Sequence, residues 1–376
     1  MRFPEFEGEW EHKTLIEVAD VYDGTHQTPD YVDKGIRFVS VEDISNKDVT
    51  PKYITEEAFN KYFKIKPQVD DILMTRITAG IIGATLVIKT NEPLAYYVSL
   101  ALIRKKERIN SEYLSCYINS SYFKRELEKR IIHIAFPKKI NLEDLRKCKI
   151  SLAKLEEQAK IAMFLSLLDE RIATQSKIIE QYKSLIKGMS EKLFSQKLRF
   201  KDDNGNDYPD WEIKKLGDIS TITTGASNRE DSILDGSFIF FDRSQDIRTS
   251  NRYLFDKEAI IIPGEGQEFT PKYYIGKFDL HQRTYAIFDF KESQGKYVYY
   301  YISYNNKYFL SQAVGSTVKS LRLPMFQSMP ISLPCIEEQT LIADFLLSIE
   351  EKIETEKQFL EQIKNQKKYL LSQMFI

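Results

Sequence analysis

The chain has 376 residues, room for two or three domains at roughly 100–200 residues each, and its 42% hydrophobic and 29% charged content excludes a disordered tail. No stretch nears the ~18 uncharged apolar residues that a bilayer span needs, and the opening MRFPEFEGEW lacks the apolar run of a secretion signal. Charge is balanced overall, 54 basic against 55 acidic residues, and three widely spaced cysteines (Cys116, Cys148, Cys335) point to a reducing cytoplasm rather than a disulfide framework.

In chain order, Trp10-Glu11 opens a segment whose first 100 residues are acidic. The runs 36–41 (IRFVSV) and 83–88 (GATLVI) read as strands. Residues 101–150 are basic, with 13 Lys/Arg and 6 Asp/Glu, and hold a helix over Glu112–Ile118. Residues 150–172 (ISLAKLEEQAKIAMFLSLLDERI) lead into a long helix, in which Ile161, Leu165, Leu168, Ile172, Ile179, Tyr182, Ile186, Met189 and Leu193 step by three and four. That is the 3.5-residue period of a coiled-coil seam. A second opening, Trp211-Glu212, precedes strands at 259–262 and 285–288 and a helix over Lys296–Ile302. Residues 296–330 carry four basic and no acidic residues. Residues 331–353 (ISLPCIEEQTLIADFLLSIEEKI) begin a second long helix with seam residues Ile342, Leu346, Ile349 and Ile353.

The two signatures match at 12 of 23 positions at a constant offset of 181, and the openings match at an offset of 201. Arg2-Phe3 and Arg199-Phe200 stand shortly before each Trp, and each helix ends on a matching Phe, Phe194 or Phe375. The chain is therefore a tandem duplication: variable globular part, repeated helix, variable globular part, repeated helix. Gln175 and Glu356, and again Lys367, interrupt the seams. A helix of about 40 residues is roughly 60 Å long and needs a partner at this amphipathicity. The other copy is the obvious one.

Catalytic patterns are absent. The four histidines have no metal-ligand spacing, no GxxxxGK[ST] or GxSxG occurs, and Gly264-Glu265-Gly266 fails a dinucleotide fingerprint at Phe269. Asp210 and Glu212-Ile213-Lys214 have the letters of a metal-dependent nuclease, but two residues of spacing cannot place them on separate strands. No Asn-Pro-Pro-Tyr or Asp-Pro-Pro-Tyr of an amino-methyltransferase is found. The expectation is a chain with no catalytic residues, metal or cofactor of its own.

The doubled ISLxx[LI]EEQxxIAxFL, the doubled W-E-x-x-x-L and the run YPDWEIKKLGDI (208–219) resemble the specificity subunit of type I restriction–modification systems across essentially the whole chain. The resemblance implies an α+β fold with two tandem α/β target recognition domains, 1–152 and 199–333. Two repeated helices, 153–198 and 334–376, separate them as an antiparallel coiled coil with pseudo-two-fold symmetry. It further implies a non-catalytic subunit, each domain of which reads half of a gapped double-stranded DNA site. Two adenine-methyltransferase (modification) subunits, and through them restriction subunits, would be the partners, with no membrane. A related methyltransferase-only system, or a coiled-coil scaffold without DNA reading, are the other readings left open. One departure is Ala153 where the second copy has Pro334, which makes a less rigid first junction the expectation.

Candidate DNA contacts come from charge and residue type. Lys138 and Lys319 match at offset 181 inside the basic zones, a phosphate-contact pattern. The segments 22–31, 75–80, 227–229, 243–252 and 267–272 read as loops rich in base-edge residue types. Arg76, Arg243, Gln245, Arg248, Gln267 and Arg283 are the candidates within or beside them.

Overall fold

The computed structural model describes residues 1–45, 49–244 and 246–375. The chain divides into two compact units, Met1–Ser176 with Gln358–Ile376, and Lys177–Lys357. The expected domains followed chain order. The compact units instead cut each long helix, so each unit holds one globular part, the first half of the helix after it and the last part of the other helix.

In the first unit, strands β1 (Glu11–Thr14), β2 (Ala19–Asp23), β3 (Ile36–Val39), β4 (Lys52–Ile54), β5 (Ile72–Thr75), β6 (Ile77–Thr78), β7 (Thr85–Val87), β8 (Leu94–Tyr96) and β9 (Leu100–Lys105) precede helix α1 (Ser111–Ile118). Strands β10 (Lys138–Lys139) and β11 (Lys149–Leu152) then lead into helix α2 (Leu155–Phe194). An antiparallel sheet β2-β9-β5-β7 buries Ile72, Met74, Ala101 and Ile103 against α1 and the helices. A three-stranded sheet β4-β3-β8 closes a separate core around Phe38, Phe59 and Tyr96. Apolar alternation and β-branched residues make these strands, at the places expected from 36–41 and 83–88. The Asn110 side chain caps α1 by accepting from the Tyr113 amide at 3.0 Å.

The second unit repeats the plan with a larger sheet. Strands β12 (Glu212–Lys215), β13 (Thr221–Thr224), β14 (Phe238–Phe241), β15 (Arg248–Ser250), β16 (Phe255–Pro263), β17 (Glu265–Gly266), β18 (Lys272–Leu280) and β19 (Thr284–Phe288) precede helix α3 (Gly295–Tyr304). β20 (Lys319–Ser320), β21 (Pro330–Leu333) and helix α4 (Ile336–Gln373) follow. Six strands run β13-β19-β16-β18-β14-β15. Expected loops prove partly regular: 75–80 contains β6, whose partner β10 is too remote in sequence to be read locally, and 243–252 contains β15, a three-residue strand that closes a hairpin on β14.

The repeated residues do the same work in both units. The Trp openings pair with the signatures: Glu11 faces Leu152, and Glu212 faces Leu333. The last residues of each helix fill an aromatic seat. Phe375 lies 5.6 Å from Tyr113, 5.3 Å from Tyr117 and 6.5 Å from Trp10, edge to face. Phe194 lies 5.7 Å from Tyr297 and 5.5 Å from Tyr301 in the same manner. Within the first unit, the start of α2 (Ile161, Leu165) and the end of α4 (Leu370, Met374) share one core, so the two segments run antiparallel. Arg171 lies over Phe359 at 5.1 Å, and Lys367, a break in the seam, pairs with Asp169. In the second unit, Leu193 and Phe194 share a core with Ile342, Ala343 and Leu346. Leu168, Ile349 and Ile353 are buried as well, Ile172 half-buried.

The glutamate pair of each signature divides its roles. Glu156 and Glu337 are exposed in the first helical turn, whereas Glu157 and Glu338 are fully buried. Arg2 grips Glu157 through Nε and Nη2, both at 2.7 Å. Arg199 grips Glu338 at 3.1 and 2.7 Å, and the Trp211 indole donates to the same carboxylate at 3.0 Å. A buried carboxylate without its partner costs several kcal/mol, so the pairing is obligatory once the burial exists. Gln158 and Gln339 clamp the junctions alike: each donates to the carbonyl at Ala153 or Pro334, at 2.8 and 2.9 Å, and accepts a backbone amide at 2.9 Å. The Ala153 and Pro334 junctions thus carry the same clamp. Burial pushes the Cys116 and Cys148 thiols up to about 12, which keeps them protonated. Among the described residues, no helix is long and apolar enough to cross a membrane.

Phe375→Ala is expected to destabilise the first unit, and Phe194→Ala the second, by about 3–5 kcal/mol each. Urea unfolding followed by circular dichroism reads this, and an unchanged midpoint for either variant contradicts the seat.

Candidate nucleic-acid interface

Each unit carries the same small ribbon on an otherwise different surface. In the first, the chain leaves β5 through Arg76 and pairs β6 with β10, Lys138 opposite Thr78 and Lys139 opposite Ile77. Ile140 donates to the Arg76 carbonyl at 3.0 Å, and Arg76 donates to the Ser99 carbonyl at 2.9 Å. In the second, β17 pairs with β20, Lys319 opposite Gly266 and Ser320 opposite Glu265. Leu321 donates to the Gly264 carbonyl at 2.8 Å, and Gly264 donates to the Arg283 carbonyl at 2.9 Å. Gly264 cannot take a side chain: a Cβ there would lie 2.7 Å from the Arg283 oxygen. The structure thus brings Lys138 and Lys319 to equivalent ribbon positions, Lys138 exposed and Lys319 half-exposed.

Around the second ribbon the cationic residues are held in place by acids. Arg243 and Arg283 both donate to Glu265, at 2.8 and 2.5 Å, and keep about half of their side-chain surface free, 51% and 58%. Arg248 donates through Nε to Asp242 at 3.1 Å. Burial alone would raise the Asp242 carboxyl, but the Ser244 hydroxyl and amide and the Arg248 guanidinium outweigh it and hold it below the ordinary carboxylate value. Lys272 donates to the Ser244 carbonyl at 2.8 Å, and its burial lowers its pKa. Gln267 reaches the Thr317 carbonyl at 3.3 Å. Gln245 lies outside the described residues. The arrangement is a half-free set of guanidinium forks fixed in direction by buried or half-buried carboxylates, suited to paired acceptors such as two phosphate oxygens or the guanine edge.

The first unit differs. Arg76 is 7% exposed, and its Nη2 donates to Asp23 at 2.7 Å. Its side chain ties the end of β2 to the ribbon instead of facing solvent. The ribbon borders a cleft of about 440 Å³ lined by Thr28, Tyr31, Lys52, Thr78, Ser99 and Pro137. Lys52 lies over the Tyr31 ring at 5.4 Å. Ser99 occupies the backbone position that Arg283 has in the second unit.

Sequence reasoning did not single out Glu265, Asp242 or Asp23, the acids that orient these cations. Glu265 lies 18 and 22 residues from the arginines it binds and Asp23 lies 53 from Arg76, and no local pattern announces such pairs; Asp242 is only six residues from Arg248. Among the described residues no three His, Cys, Asp or Glu side chains could hold a metal ion.

The backbone amide of Arg283 donates to His281 Nδ1 at 3.0 Å, which requires the neutral ring. Burial lowers the His281 pKa below its ordinary 6.5. A lowered folded-state value gives stability that is present above about pH 6.5 and lost as pH falls below it. The wild type should therefore lose more thermal stability between about pH 7 and pH 5 than His281→Asn, which keeps an acceptor and no titrating ring. Parallel melting curves for the two proteins contradict this.

Comparison with known proteins places these features. The family model for the type I restriction modification DNA specificity domain matches residues 7–183 and again 208–365. The chain is 28% identical over 394 residues to a putative type I restriction enzyme MjaX specificity subunit of Methanocaldococcus jannaschii, covering 97% of this chain and 92% of that one. It is 32% identical over 154 residues to the Escherichia coli EcoDI specificity subunit, spanning about a third (34%) of that protein's length. In fold it is similar to the crystal structure of a type I S subunit from M. genitalium, with TM-score 0.63, 15% identity and coverage of 100% and 99%.

Proposed function

The chain belongs to the type I restriction–modification DNA specificity family, and from that premise we propose that it is a non-catalytic reader of a bipartite, gapped DNA site. Each unit recognises one half-site. Helices α2 and α4 set the spacing and dock two adenine-methyltransferase subunits, which supply the chemistry and link the assembly to restriction subunits. The observation that carries this reading is the repeated ribbon. Lys138 and Lys319 sit at equivalent positions, while the side chains around them differ. A shared phosphate contact with a divergent base-reading surface is what two different half-sites held in one frame require.

Residue roles follow from exposure. Lys138 and Lys319 contact phosphate. Arg243, Arg248 and Arg283, with Gln267, face base edges in the half-site of the second unit, and Glu265 orients two of the three arginines. Arg76 acts at one remove, by holding Asp23 and the loop after β2. A fixed guanidinium fork selects guanine, and a good bidentate contact is worth about 1–3 kcal/mol of discrimination.

Methylation-sensitive long-read sequencing of the host, with the gene intact and deleted, tests the reading. Loss of one gapped methyladenine motif on deletion is expected. Arg283→Ala should relax a single position in one half of that motif and leave the other half intact. Lys138→Ala and Lys319→Ala should weaken binding to all sequences and each reduce the salt slope by about one. If every methylated motif survives deletion, the proposal fails.

A further inference from the structure

One surface feature of the first unit has no place in the scheme above. Between Ile132, whose amide donates to the Lys139 carbonyl at 2.8 Å, and β10, residues 133–137 form a hairpin tip. Ile134 is 99% exposed and Phe136 91%. Among the described residues, Phe136 is the only phenylalanine of the 23 in the chain that the fold leaves exposed. Ile81, 66% exposed, follows β6 in the same ribbon. Pro137 at the base of the tip lines the cleft beside Lys52, Thr78 and Ser99. The matching tip of the second unit, closed by Val314 against Ser320, carries Gly315, Ser316, Thr317 and the half-exposed Val318, with no aromatic ring, and Gln267 fastens it. Only the first copy of this repeated element thus projects an aromatic ring and an almost fully exposed isoleucine.

The charge around the tip selects its occupant. From 129 to 142 the chain has Lys129, Arg130, Lys138 and Lys139 and no acid. Lys129 and Arg130 share the single carboxylate of Glu126, and Lys138 and Lys139 make no ion pair among the described residues. Two exposed apolar side chains beside two unneutralised lysines match a surface that is polyanionic outside and apolar between its layers, which is a stacked duplex.

We propose that Ile134 and Phe136 form a wedge that enters between adjacent base pairs at the half-site read by the first unit. This rests on the DNA-reading proposal and extends it. Lys138 and Lys139 hold the flanking phosphates, Phe136 stacks on the exposed face of one base, and the step opens and bends. The second unit, without a wedge, leaves its half-site stacked. The opened step is one of the easily unstacked ones, TA or CA/TG.

The test uses the full chain assembled with its methyltransferase subunits and a duplex carrying the mapped gapped site. 2-Aminopurine is walked through the half-site of the first unit on both strands, omitting the methylated adenines. The wild type should raise fluorescence several-fold at one step. Phe136→Ala with Ile134→Ser should abolish that signal and weaken specific binding about ten-fold, a typical loss for one stacked base, while Phe136→Trp retains both. An unchanged fluorescence map in the double variant overturns the wedge. Loss of subunit assembly in that variant, measured by light scattering, also overturns it and assigns the tip to a protein contact. A wild-type assembly that binds no gapped duplex overturns the DNA-reading proposal itself.

Discussion

Each unit depends on an aromatic seat for a helix end that arrives from far along the chain. Phe375 completes the core of the first unit, between Trp10, Tyr113 and Tyr117, although more than 250 residues separate it from them. Phe194 does the same against Tyr297 and Tyr301. A ring seated edge to face in a fully buried socket cannot slide by a residue without losing the socket. The number of residues between each signature and its terminal Phe is therefore set by packing, and any spacing the helices impose on a ligand inherits that setting. Polar seam positions also help fix register, at a cost in stability, and the seated ring adds a second constraint that carries no such cost.

The buried carboxylates act at the other end of each helix. Glu157 and Glu338 are the third residues of their helices, where acids favour the dipole, but full burial makes them anchors for Arg2 and Arg199. Their neighbours Gln158 and Gln339 tie the strand before the helix to the helix itself. The three consecutive letters Glu-Glu-Gln thus serve a solvent-facing dipole contact, an internal ion pair and a backbone clamp. Only the first of these needs nothing but local context.

This explains what the sequence revealed and what it did not. The duplication, the two long helices, the seam residues Ile161 to Ile353 and the strands near 36, 83, 259 and 285 were legible, because periodicity and repetition are local or offset-constant signals. The matched arginines before each Trp were visible as letters, but their partners were not, since a salt bridge 139 or 155 residues away leaves no pattern. The same holds for the reading surface. Arg76 and Arg283 have the same chemistry and adjoin the same kind of turn, yet one is buried on Asp23 and the other is half free on Glu265. Residue type nominated both, and only the fold distinguishes them. The two-residue strand β6 was read as part of a loop, because two residues carry no alternation.

The ribbon tips and the cations around Glu265 lie outside the four apolar cores, which are built from the sheets, the signatures and the helix ends. On the proposed reading, stability and recognition are written on separate sets of positions. A lineage can exchange tip residues, lengthen a loop by one or swap an arginine for a serine while its melting temperature stays where it was. If those positions read DNA as proposed, such a protein can drift among half-sites without passing through an unfolded ancestor, the scaffold being the slow variable of its evolution and the recognised word the fast one.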